Sequence, residues 1–184
     1  MAVVKKGVKK SFFEVQAPLT GSKISVYCTS LEELDGKTVI LDMSRNLRGK
    51  NVELIYKLQF VEGAIVAEPI RLVVVGSYIR RAMRRGSDYV EDSFSVVCRD
   101  GNAVIKPFMI TRKKVSRAVQ QALRLGTREQ LESYCKIRTR QELFSDIMAG
   151  KLQKELSLKL KKIYPLAFCE IRVFELVKEK NVIV

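Results

Sequence analysis

Over the first third of the chain, apolar and polar positions alternate with a period of two. The runs FFEVQAP from Phe12, KISVYC from Lys23, KTVILDM from Lys37, NVELIYKLQF from Asn51 and AIVAEP from Ala64 are rich in β-branched and aromatic residues. Thr20-Gly21, Asp35-Gly36 and Glu62-Gly63 separate them with turn residues. Five short strands at this spacing predict an antiparallel meander or a small barrel.

The period then changes. Residues 77–86, SYIRRAMRRG, place Ile79, Ala82 and Met83 on one side of a short helix and the pairs Arg80/Arg84 and Arg81/Arg85 on the other, with Ser77 as the N-cap. Alternation returns in DSFSVVC, and Arg99-Asp100-Gly101-Asn102 carries the Asp-Gly signal of a tight hairpin into AVIKPFMIT. Beyond Thr111, Val115, Ala118, Val119, Ala122 and Leu123 form a helical stripe, with Lys113, Lys114, Arg117, Gln120 and Gln121 on the wet face. Gly126-Thr127 predicts a break and a second short helix through Tyr134. Thr139 to Glu142 is a capping box for a helix stopped at Gly150. Leu152, Leu156, Leu160 and Ile163 mark a further helix ending before Pro165, and AFCEIRVFELV alternates as a strand that returns to the first sheet. The expected fold is a single α+β domain over residues 12–178: an antiparallel β-barrel-like sheet with flanking helices. A flexible basic arm, residues 1–11, precedes it and a short tail, 179–184, follows.

Composition narrows the chemistry. Of 184 residues, 47% are hydrophobic, enough to build a core, so this is no disordered basic tail. There is no histidine, which removes imidazole acid/base chemistry, Ser-His-Asp and Cys-His catalysis, and histidine metal ligation. Cys28, Cys98, Cys135 and Cys169 lie at least 34 residues apart, without the short spacing of a zinc site, and three of them, in apolar strand-like surroundings, read as small buried apolar residues in a reducing compartment. No apolar run approaches 18 residues and no signal-type segment follows the first lysines, so a soluble cytosolic protein is expected. Glu32-Glu33 reads as turn acids, and Asp88, Glu91 and Asp92 as acids facing Arg84 and Arg85. No phosphate-cradling glycine motif is present. Neither metal nor cofactor is expected.

Charge changes the picture most. There are 34 Lys and Arg against 20 Asp and Glu, a net +14. Residues 1–13, 69–87 and 101–128 contain no acid at all and hold 16 of the basic side chains, while the other 124 residues carry a net −2. Segregation of this kind points to a polyanionic partner. Arginine forks match phosphate oxygens, and structural RNA is read mainly through phosphates and 2′-hydroxyls. The candidate RNA-binding residues are Arg80, Arg81, Arg84 and Arg85; Arg112, Lys113, Lys114 and Arg117; and Lys5, Lys6, Lys9 and Lys10. Tyr27, Tyr56, Tyr78 and Tyr89 are assigned to packing ahead of base stacking. Membrane docking is disfavoured, because the charged helices lack broad apolar faces with Trp or Phe.

The segments FFEVQAP, RGKNVELIYKLQF, YIRRAMRRGSDYVEDSFSV, RDGNAVIKPFMITRKKVSRAVQQALR and KLQKELSLKLKKIYPLAFCEIRVFEL, in this order, resemble the S one-e family of archaeal and eukaryotic small-subunit ribosomal proteins, also called S three-a. The likeness covers residues 10 to 178. It implies a structural, non-enzymatic constituent of the small ribosomal subunit in the cytoplasm. It further implies binding to small-subunit rRNA at the platform near the mRNA exit, with neighbouring small-subunit ribosomal proteins as partners and mRNA as a further contact. Relative to eukaryotic members, the N-terminal extension is reduced to four lysines and the charged C-terminal tail is missing, a length similar to archaeal members. The alternative on the residues alone is an RNA-processing or RNA-modifying enzyme with a basic substrate-loading surface, for which no converging acid, nucleophile and cofactor motif appears.

Overall fold

The computed structural model describes residues 9–47, 49–61 and 64–177. Strands β1 (Ser11–Ala17), β2 (Ser22–Cys28), β3 (Thr38–Asp42), β4 (Val52–Val61) and β5 (Ala64–Val74) lead into helix α1 (Gly76–Ala82). Strands β6 (Tyr89–Glu91), β7 (Phe94–Cys98) and β8 (Gly101–Thr111) follow. Helices α2 (Arg117–Ile137), α3 (Arg140–Ala149) and α4 (Lys151–Leu160) come next, and strand β9 (Leu166–Leu176) closes the order. The protein is therefore α+β. The chain packs as two units, Met1–Ile40 with Ile55–Pro69 and Leu41–Leu54 with Ile70–Val184, and β4 and β5 contribute residues to both.

In the first unit, β1 and β2 form a hairpin in register from Ser11↔Cys28 to Ala17↔Ser22. Gly21 takes φ 63° in its turn, a conformation that glycine reaches without a Cβ penalty. Val15, Ala17, Ile24, Cys28, Leu34, Tyr56 and Leu58 supply the core. From Val52 to Leu58 every second residue of β4 is buried, so over that stretch the period-two pattern in the sequence is the burial pattern in space. The N–H of Gly36 donates to the Leu58 carbonyl at 2.9 Å, and the N–H of Leu58 donates to that of Lys37 at 2.8 Å.

In the second unit, β9 lies antiparallel to β5 through Arg71↔Glu175, Leu72↔Phe174 and Val73↔Val173, and antiparallel to β8 along most of its length. β8 also pairs with β6 and with β7. The β7–β8 hairpin closes at Cys98↔Gly101, as the Asp-Gly signal predicts. Phe108, Phe144, Phe174, Ile105 and Met109 are fully buried, and Phe144 meets Phe174 edge-on at 4.9 Å.

The strand order is β2-β1-β5-β9-β8-β6, with β3 on β4, β4 on β5 and β7 on β8. One pairing departs from the expected antiparallel sheet: β1 runs parallel to β5 at Gln16↔Val66. A parallel pair needs a long crossover, and β2, β3 and β4 are the connection here. The sheet is thus mixed, and among the described residues β2 and β6, at the two ends of the order, do not pair to close a barrel.

Two helix boundaries differ from the sequence expectation. α1 stops at Ala82, with Met83 extended at φ −73°, ψ 130°, and it starts after Val75 without a side-chain cap, so Ser77 is not the N-cap. Arg84 and Arg85 therefore lie in the following loop; like charges at i,i+4 would oppose one another on a continued helix. α2, by contrast, runs unbroken through Gly126 and Thr127. The Thr127 hydroxyl donates to the Leu123 carbonyl at 2.6 Å, and a Cβ on Gly126 would sit 3.0 Å from Ile163 Cδ1 and 3.4 Å from Leu160 Cδ2. This glycine is a close-approach residue, not a helix breaker. Its helix buries Leu123, Thr127, Leu131 and Cys135, a register displaced from the stripe read at Val115 to Leu123, in which Ala118 and Ala122 are exposed. The Thr139 capping box and the left-handed Gly150 C-cap form as predicted.

Candidate nucleic-acid interface

The second unit contains a cleft of about 710 Å³ lined by Arg81 and Tyr78 from α1, Arg84 and Ser87 from the loop after it, Thr111 and Arg112 at the end of β8, and Phe168 from β9, with Gly49 beside them. Three of the sequence-predicted arginines thus converge from two segments, and among the described residues no carboxylate lines the cleft. Arg80, Arg85, Lys113, Lys114 and Arg117 are exposed and adjacent in the chain, but they do not line it. Lys9 and Lys10 are exposed and belong to the first unit. Lys5 and Lys6 lie outside the described residues.

The two arginine segments are held together by Asp88 and Thr111. The Thr111 N–H donates to the Asp88 carbonyl at 3.0 Å, and the Asp88 N–H donates to Thr111 Oγ1 at 2.9 Å. The Thr111 hydroxyl also lies 2.7 Å from the Lys113 carbonyl, which accepts from it. Asp88 Oδ2 accepts from the Val115 N–H at 2.8 Å and from Gln120 Nε2 at 3.2 Å. Ser116 caps α2, so Arg112, Lys113 and Lys114 fall in the loop before the helix, and Arg117 is its first residue. Cations there oppose the helix dipole.

The acids expected to face Arg84 and Arg85 face elsewhere. Asp88 is committed to the α2 loop, and Glu91 accepts from Arg172 at 2.6 Å and from the Tyr89 hydroxyl at 2.9 Å. Asp92 accepts from the Ser93 N–H. Burial and the Glu91 hydrogen bond together push the Tyr89 phenol up to about 12.

Among the described residues, nine cations, including Lys50, Arg71, Arg138 and Arg172, pair with carboxylates, and others across the surface, such as Arg45, Arg99 and Arg140, do not. Among the described residues, Arg80, Arg81, Arg84, Arg85, Arg112, Lys113, Lys114 and Arg117 form none of these pairs. The acid-free blocks are not uniform, however. Arg71 pairs with Glu175 across β5 and β9, Arg128 pairs with Glu132, and Arg124 donates to the Glu91 carbonyl. Arg81 is oriented by uncharged groups, donating to Asn51 Oδ1 at 2.8 Å and lying 6.0 Å from the centre of the Tyr78 ring. Its direction is fixed while its charge stays uncompensated.

Sequence reasoning weighed Tyr78 for base stacking behind packing and missed Phe168, which completes an aromatic wall with it. Tyr78 and Phe168 are half-buried, with ring centres 5.8 Å apart, and Phe168 packs 5.6 Å from the core residue Phe108. Burial, followed by the negative charge of Glu170, raises the Tyr78 phenol above its ordinary range. Of the other tyrosines, Tyr56 is fully buried and Tyr89 half-buried, while Tyr27 is exposed and paired with Phe12 at 4.8 Å. A second cleft of about 940 Å³ shares Tyr78 and Phe168 and is lined by Lys50, Lys154 and Glu170, with Lys50 and Glu170 ion-paired.

A family model described as the ribosomal S3Ae family matches residues 2–180, and the chain belongs to that family. It is 27% identical to the small ribosomal subunit protein eS1 of Nanoarchaeum equitans, over 95% of this chain and 93% of that protein. It is also 27% identical to the protein of the same name from Haloarcula marismortui (93% and 84% covered), and 24% identical to that from Saccharolobus islandicus (92% and 85%). Among the described residues, no helix is long and apolar enough to cross a membrane.

Proposed function

We infer that this chain is a structural constituent of the small ribosomal subunit, a cytoplasmic ribosomal protein and not an enzyme, that binds rRNA through the arginine cleft. Arg81, Arg84 and Arg112 meet phosphates in the cleft, and Arg80, Arg85, Lys113, Lys114 and Arg117 extend the contact along the adjoining segments. Lys5, Lys6, Lys9 and Lys10 add an N-terminal contact. Its place is the platform near the mRNA exit, against neighbouring small-subunit proteins and within reach of mRNA. The role is to neutralise phosphates where RNA segments crowd together, so that the local RNA shape persists.

The observation that carries this reading is the convergence of Arg81, Arg84 and Arg112 on one cleft, none of the three ion-paired among the described residues. Holding like charges together without counter-charges costs stability unless an external anion compensates. The test is expression of the Arg80→Glu/Arg84→Glu double variant in cells, followed by gradient fractionation. The expected result is a folded protein absent from small-subunit fractions. Incorporation at the wild-type level would remove these arginines from the interface.

A further inference from the structure

The cleft combines two features that a surface for duplex phosphates alone does not need: concavity and an aromatic wall. Its arginines are exposed, whereas Tyr78 and Phe168 lie half-buried. A single unpaired nucleotide fits such a recess, since pockets of 300 to 1,000 Å³ enclose ligands of that size. The Phe168 ring is backed by Phe108, which is itself fully buried, so the wall is anchored to the core and does not need ordering on binding.

Resting on the rRNA-binding reading above, we propose that this cleft seats one extruded, unpaired nucleotide of the RNA, its base against Tyr78 and Phe168 and its flanking phosphates on Arg84 and Arg112. Base-on-aromatic stacking tolerates any base, because each has a π-face, and it adds to the phosphate contacts. Arg81, held in place by Asn51 and Tyr78, then offers its guanidinium either to a phosphate or to the plane of the base. Ser87 and Thr111 lie on the lining too, but their hydroxyls already donate to the carbonyls of Arg84 and Lys113, at 2.6 and 2.7 Å. The recess therefore offers stacking and charge more than base-edge recognition, and it should select an unpaired nucleotide without selecting its identity.

The experiment uses the full chain and two RNAs of identical flanking sequence, a perfect duplex and the same duplex carrying one unpaired 2-aminopurine. Affinities come from anisotropy, and stacking from 2-aminopurine fluorescence. The wild type should bind the bulged RNA about ten-fold or more tightly than the duplex and quench the fluorophore. Tyr78→Leu should bring that ratio close to one, and Tyr78→Phe should retain it. Equal wild-type affinity for the two RNAs, or binding without quenching, would overturn the nucleotide proposal while leaving rRNA binding intact. So would displacement of the bulged RNA by polyglutamate as effectively as by unlabelled RNA, which would assign the cleft to an acidic protein segment. Failure of the wild type to bind either RNA would overturn the rRNA-binding reading itself. The fluorescence measurement on the wild type decides the matter even where Tyr78→Leu fails to fold.

Discussion

The Thr111 N–H donates to the Asp88 carbonyl, and the Asp88 N–H donates back to the Thr111 hydroxyl, so that two residues 23 positions apart fix one arginine segment beside another. Thr111 is fully buried, and its hydroxyl accepts from the Asp88 N–H and donates to the Lys113 carbonyl, neither of which has another partner among the described residues. Thr111→Val keeps the shape and strands those groups, and it should cost about 1 to 3 kcal/mol. Urea denaturation checks this; an unchanged midpoint would mean the hydroxyl is dispensable. RNA affinity should fall further than stability alone explains, because the Arg84 and Arg112 segments lose their common anchor.

The unpaired cations set the salt dependence. If six to eight of them neutralise phosphates, affinity for an rRNA fragment should drop about 10³-fold or more between 50 and 200 mM salt. Replacing Arg112 with Gln should lower the slope of log affinity against log salt by about one. Replacing Arg71 with Gln should leave the slope almost unchanged, because Arg71 is paired with Glu175. Equal effects from the two substitutions would show that pairing within the protein does not sort these cations.

Which parts of the fold could be read from the sequence follows from how local each signal is. The strands β1 to β5 and the capping box at Thr139 depend on residues within a few positions, and they lie where alternation and cap chemistry place them. The expectation of an all-antiparallel sheet failed because the β1–β5 parallel pairing is set by tertiary packing, which period-two alternation does not encode, and neither does it encode whether a sheet closes. Gly126 was misread for a related reason: glycine disfavours a helix locally, and the packing of α2 against Ile163 and Leu160 carries the helix through it. The basic segments were visible as acid-free stretches. The pairing of Arg71 with Glu175, the commitment of Asp88 to the α2 loop and the meeting of Tyr78 with Phe168 join residues far apart in the chain, beyond the reach of local pattern.

Gly126 gives a packing prediction. Ile163 Cδ1, the nearest atom to a Cβ at this position, is the end of a flexible side chain that is 43% exposed, so it can turn aside. Gly126→Ala should therefore be neutral or stabilising by up to about 1 kcal/mol through helix propensity. Gly126→Leu should overpack the contact with Leu160 and cost about 1 to 3 kcal/mol. Thermal melts of both variants check the pair, and a stabilising Gly126→Leu would contradict the close-approach role.

Stability should fall in alkali. Burial, and then the negative charge of Glu170, pushes the Cys169 thiol from 9.0 up to about 12. Burial and Glu91 push the Tyr89 phenol up to about 12 as well. A group whose folded pKa is raised contributes stability that is fully present below its unfolded value and is lost as pH rises through the folded one. For Cys169 that window runs from pH 9 to about 12, and the loss is on the order of 2 to 4 kcal/mol. Denaturant midpoints measured from pH 7 to 11 should decline above pH 9, and Cys169→Ala should flatten part of the decline. A rising curve would contradict the burial of this thiol.

The central claim, that uncompensated arginines grip ribosomal RNA, is tested most directly by ultraviolet crosslinking of the assembled small subunit, with the attached peptides mapped residue by residue. Crosslinks to nucleotides should fall within residues 78–87 and 111–117, and Tyr78 should be among the most reactive positions. RNA crosslinks confined to other surfaces, with both of these segments unmodified in intact particles, would contradict the account.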